Sequence, residues 1–136
     1  MDSVFGFLVS YVICLVLFVG LDMIWLLGPG RPFYVSEMGD LLRTTPLLPA
    51  AIVFYLLYAA GMMLFVLLPA SKSDFPALAL FLGLAFGLVA YGTYDLTGLA
   101  VVKGFTTKIA LIDMAWGSVL TGIVAWVSLR VSQLVV

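Results

Sequence analysis

Three carboxylates lie inside long apolar runs: Asp22, Asp95 and Asp113. Asp95 stands in the most polar of these stretches, Tyr91-Gly92-Thr93-Tyr94-Asp95-Leu96-Thr97. A carboxylate at membrane depth costs roughly 3 kcal/mol or more unless it is paired, protonated or wetted. Acids in such a place suit three kinds of chemistry: general acid or base work, exchange of a proton for a cation, and ligation of a hard cation through oxygen. Asp95, Asp113 and Asp22 are therefore the candidate catalytic residues. Tyr91, Tyr94, Tyr55, Tyr58 and Thr97 are the hydrogen-bonding candidates around a substrate, with Trp25 and Trp116 beside them. Lys108 and Arg31 are the cations placed to neutralise an aspartate or meet an anionic head group; snorkelling at a span end explains them equally well.

Other chemistry is missing from the chain. It contains no histidine, which removes imidazole ligands and every Ser-His arrangement. Cys14 is the single cysteine and sits in an apolar run, so it forms no intramolecular disulfide and reads as a small core residue. Three carboxylates alone would hold Mg²⁺ only through oxygen, so the pattern assigns no metal site and names no cofactor. The motifs of nucleophile elbows, zinc peptidases and phosphate-binding loops are absent. The net charge of −1 supplies no basic surface for nucleic acid.

The elements that must carry these residues are membrane helices. Of the 136 residues, 65% are hydrophobic and 10% charged, whereas soluble domains run at about 45–50% and about 25%. Four spans are expected, at about 4–27, 47–68, 76–102 and 106–129, as one all-α domain over residues 1–136, a four-transmembrane-helix bundle. Gly28-Pro29-Gly30 ends the first, Pro46, Pro49 and Pro69 bound the second, and short turns make spans two to four successive hairpins. Between spans one and two, residues 33–43 place Tyr34, Met38, Leu41 and Leu42 on one helical face, the pattern of a short helix lying in the membrane interface. Met1-Asp2-Ser3 carries no Lys or Arg and no cleavage pattern follows, so the first span is expected to be retained.

Span direction aligns the acids. Asp22 precedes Gly28, Asp95 precedes Lys103 and Asp113 follows Lys108, so all three fall on one side of the bilayer, roughly 8–12 Å inside it by helical rise. Tyr55 and Tyr58 enter from that same side. Arg31, Arg43, Lys103 and Lys108 outnumber Lys72 and Arg130, which puts loops one and three in the cytoplasm. Trp25 lies near a span end and reads as an interfacial anchor, while Trp116 lies deeper. Gly83 with Gly87, and Ser118 with Gly122, form small-residue ridges that suit close helix packing, either in the bundle or against a second copy or partner membrane protein.

The combination Leu21-Asp22-x-x-Trp25-Leu26, Pro32-Phe33-Tyr34 with Gly39 following, Tyr55-x-x-Tyr58, Tyr91-x-x-Tyr94-Asp95-Leu96-Thr97 and Asp113-x-x-Trp116-Gly117 resembles a family of bacterial membrane proteins known as domain of unknown function, family 2177. The resemblance covers almost the whole chain. It implies a four-span inner-membrane protein without an established activity. The family pattern has Asn after Asp-Leu-Thr, where this chain has Gly98, so one amide that would help hydrogen-bond Asp95 is absent.

Three functions fit these features. The first is an enzyme or accessory that binds membrane lipids or another amphipathic substrate in the Asp/Tyr layer. The second is a structural or assembly subunit locked by that layer. The third is a small proton-coupled transporter.

Overall fold

The computed structural model describes residues 1–136, with no strands and five helices. Helix α1 spans Val4–Leu27 and starts where the Ser3 hydroxyl accepts a hydrogen bond from the Gly6 N–H. Helix α2 spans Gly30–Met38 and is followed by a single 3₁₀ turn, Gly39–Leu41. Helix α3 spans Leu48–Ser71, α4 spans Leu78–Val101 and α5 spans Thr107–Val135. The four long helices are each apolar and long enough to cross a membrane. Their outward faces carry Leu, Val, Ile and Phe, such as Val12, Ile52, Phe65, Val89 and Leu111. Lipid tails accept such a surface, and the backbone inside each helix satisfies its own hydrogen bonds.

Several helix ends differ from the sequence expectation, each for a local reason. The second long helix runs through Pro69 to Ser71. Proline lacks an N–H and clashes with the carbonyl four residues earlier in an α-helix. Here residues Met63–Leu67 form a π turn just ahead of it, which widens the ladder and accommodates the ring. The fourth long helix continues past Arg130 to Val135, because Arg130 points outward while Ser132 on another face remains buried. The short helix starts three residues earlier than the periodicity suggests. It stops at Gly39, whose φ of 52° is a left-handed conformation that glycine adopts at little cost. Its packed face is Phe33, Tyr34 and Met38, set against Phe105, Ile109 and Ala110, while Leu41 and Leu42 are exposed.

Around the bundle the order is α1, α3, α4, α5. The α4–α5 hairpin is by far the most intimate pair. A Cβ on Gly83 would come within 2.7 Å of the Gly122 Cα, and one on Gly87 within 2.7 Å of the Thr121 Oγ1. The Ser118 hydroxyl donates across the same seam to the Leu84 carbonyl at 2.8 Å. Both small-residue ridges thus meet inside one chain. Gly83, Gly87 and Gly122 are buried in that seam.

The core fills one half of the bundle. Cys14, Phe18, Met62, Met63, Val66, Leu67, Leu120 and Val124 interlock near the π turn and beyond it. There α3 packs on α4. Ahead of the π turn the two helices part, and α3 leans on α1 instead. The hairpin inferred from the short second loop is therefore closed at the loop end and open at the other.

Candidate functional site

The open half of the bundle contains a cavity of about 500 Å³. Its walls come from all five helices: Asp22, Trp25 and Leu26 on α1, Tyr34 on α2, Ala51, Phe54, Tyr55 and Tyr58 on α3, Ala90, Tyr91 and Tyr94 on α4, and Asp113 and Trp116 on α5. Tyr58 forms the floor, with ring centroids 4.7 Å from Phe18 and 5.4 Å from Phe86. Tyr34 closes the end nearest the loops. The gap between α3 and α4 leaves the side open, and Tyr94 on its rim is 65% exposed.

Asp22 is the most firmly held of the acids. It is 6% exposed and accepts from the Tyr55 hydroxyl at 2.6 Å and the Trp116 Nε1–H at 3.1 Å. One carboxyl thereby ties α1 to α3 and α5. Asp113 accepts from the Tyr34 hydroxyl at 2.7 Å, and that hydroxyl in turn accepts from the Trp25 Nε1–H at 3.2 Å. Trp25 and Trp116 stack with centroids 4.7 Å apart, so the two hydrogen-bonded chains are joined through their indoles. Burial pushes the Tyr34 phenol above its ordinary value; the Trp25 hydrogen bond opposes this and the neighbouring Asp113 carboxylate reinforces it. The phenol therefore stays protonated and keeps donating to Asp113.

Asp95 behaves differently. It is wholly buried, and neither oxygen accepts a hydrogen bond from any protein donor. It lies outside the cavity lining, within reach of the Asp113 carboxyl. The tyrosines of the second span do not serve it. Tyr55 serves Asp22. Tyr58 pairs with Thr121 at 2.8 Å, and because the Thr121 proton goes to the Gly117 carbonyl, Tyr58 is the donor. Tyr91 lays its ring over Gly117, where a Cβ would collide with it.

The structure brings Asp22, Asp113, Tyr55, Tyr58, Tyr91, Tyr94, Trp25 and Trp116 around one space. It leaves four other candidates outside. Thr97 is exposed and makes no side-chain hydrogen bond within the protein. Arg31 is exposed on α2. Lys108 reaches Glu37 at 3.9 Å and the Phe33 ring face at 5.7 Å, not an aspartate of the layer. Asp95 is buried outside the cavity lining. The Trp25 indole, read from the sequence as an interfacial anchor, is engaged within the protein by Tyr34 and Trp116. The three acids do not converge on a point where they could jointly hold a metal ion.

Tyr34 is the site residue that sequence reasoning passed over. Its place on the apolar face of the short helix was readable. A phenol on a face bound for a protein or lipid surface needs a hydrogen-bond acceptor, and that was the available signal. Replacing Tyr34 by Phe removes the donor to Asp113 and the acceptor for Trp25. Hydrogen exchange over residues Gly30–Met38 should accelerate by about tenfold, the equivalent of about 1.4 kcal/mol. Unchanged exchange would mean that α2 is held by its apolar face alone.

Four long apolar helices around an intramembrane polar layer define a polytopic, multi-pass, all-α membrane protein. The chain belongs to the family described as "Predicted membrane protein (DUF2177)", which it matches over residues 7–130. No curated protein and no solved structure matches it.

Proposed function

We propose that the protein binds an amphipathic molecule of the membrane, head group in the cavity and tail through the gap between α3 and α4. One observation carries this reading: the cavity is lined by α3 and α4 where those two helices, apolar on their outer faces, no longer pack on each other, while its wall also bears the Asp22 and Asp113 carboxyls. The size suits a head group with the first part of a chain, since small-molecule sites run at about 300–1,000 Å³. We place this end of the bundle on the cytoplasmic side of a bacterial inner membrane, from the Lys and Arg bias of loops one and three. Helix α2 then lies at the head-group level.

The test is lipid recovered with the purified protein. Wild type should carry one lipid class at a roughly stoichiometric level. Ala90→Trp, which places an indole in the mouth, should reduce it by about tenfold or more. Equal recovery from both proteins, or none above the detergent background from wild type, would sink the proposal.

A second reading is a structural or assembly subunit. Asp22 supports it, because a carboxyl satisfied by Tyr55 and Trp116 locks three helices without needing a substrate. Under that reading Ala90→Trp lowers the recovery of a complex and leaves the lipid content unchanged.

A further inference from the structure

Charge within the cavity narrows what its occupant is. Asp22 and Asp113 line the space, and Asp95, buried outside the lining and within reach of Asp113, adds a third with no protein donor on either oxygen. No cation of the chain compensates them. The one salt bridge in the protein joins Lys108 to Glu37, with the Lys108 side chain 68% exposed. Arg31, Arg43, Lys72, Lys103 and Arg130 are all exposed and lie outside the cavity. Any of the three that is ionised has no basic partner in the chain, and positive charge from elsewhere would stabilise it.

The remaining wall has the matching chemistry. Trp25, Trp116, Tyr34, Tyr55, Tyr91 and Tyr94 surround the carboxyls with aromatic rings. Ring faces are negative in their quadrupole and attract organic cations, most strongly where water is excluded. A bare metal ion would need several oxygen ligands converging on one point, and the acids do not provide them. An anionic head would face Asp22 and Asp113 with no Lys or Arg to hold it. A trimethylammonium or primary ammonium group fits both the charge and the rings.

We infer that the head group bound in this cavity is an organic ammonium, held between the Asp22 and Asp113 carboxyls and the aromatic wall. The inference rests on the reading of the cavity as an amphiphile site. The ammonium belongs either to a lipid-like molecule or to a free cation in solution, and the two are separable by experiment.

The full chain in neutral maltoside micelles is titrated with three probes: dodecyltrimethylammonium, dodecanol and tetramethylammonium. Binding is read from the fluorescence of Trp25 and Trp116 in a Trp126→Phe background. Dodecyltrimethylammonium should saturate at a concentration about tenfold or more below that for dodecanol. Asp113→Asn, which keeps an oxygen to accept from Tyr34, should raise that concentration by about tenfold, while Asp40→Asn on the exposed turn after α2 leaves it unchanged. Equal binding of dodecanol and dodecyltrimethylammonium overturns the ammonium inference and leaves the amphiphile site standing. Tetramethylammonium binding as tightly as its dodecyl analogue supports the ammonium inference and overturns the amphiphile site. No saturable response to any probe overturns both. The wild-type series decides among these outcomes even if Asp113→Asn fails to fold.

Discussion

Gly87→Leu should abolish recovery of folded protein. Gly87 is buried in the α4–α5 seam, where even a Cβ would come within 2.5 Å of the Gly117 carbonyl oxygen and 2.8 Å of the Thr121 Cβ. Both obstacles belong to a helix backbone or sit directly on it, so no side-chain rotation relieves them. The helices must separate, and with them the Ser118 bond to Leu84 and the Tyr91 ring over Gly117. The expected cost is about 3 kcal/mol or more, at the upper end of overpacking effects. It is checked by the monodisperse fraction in size-exclusion chromatography and by the thermal midpoint in detergent. Gly20→Leu is the internal comparison. Gly20 is exposed on α1, and a Cβ there would meet nothing within 4 Å, so its midpoint should match or exceed wild type. A Gly87→Leu midpoint within a few degrees of wild type would contradict the tight seam.

Asp22→Ala should be the most damaging single change among the acids. It leaves the Tyr55 hydroxyl and the Trp116 N–H without their acceptor in a region that water reaches poorly. Each orphaned buried donor costs about 1–3 kcal/mol, and the lower part of that range suits membrane proteins, so the total is about 2–3 kcal/mol. Asp22→Asn keeps one acceptor oxygen and should cost about 1 kcal/mol. Asp113→Ala orphans one donor, Tyr34, and should fall between them. The measurement is denaturant unfolding in mixed micelles. An Asp22→Ala protein at least as stable as Asp113→Ala would show that Asp22 is not the lock. Recovery of lipid from the same variants separates the two roles: Asp22→Asn changes stability little, and a loss of ligand from that protein would then report direct contact.

The depth of the polar layer was legible because helical rise and alternating span direction fix it without reference to packing. Asp22, Asp113, Tyr55 and Tyr58 needed nothing more to be placed at one end. Partners were not legible in the same way. Asp95 carried the most conspicuous sequence context and ended without a hydrogen bond, whereas Tyr34, in the segment between two spans, became the donor to Asp113. Which hydroxyl meets which carboxyl depends on rotations of whole helices, and a turn of one residue, about 100°, exchanges one partner for another.

By itself the sequence determined that this chain is an all-α, four-span membrane protein with its acids gathered toward one face. Long apolar runs admit no other solution in lipid, and Gly28, Pro46 and Gly104 mark where they must stop. Only the tertiary structure decided which side chains the acids meet. The π turn at Met63–Leu67 lies at the point ahead of which α3 stands apart from α4, and the space so opened turns a layer of paired side chains into a cavity. A local widening of one helix has no signature in hydropathy or periodicity. Its consequence, a cavity lined by Asp22 and Asp113 where α3 and α4 part, appears only when the four helices are packed together.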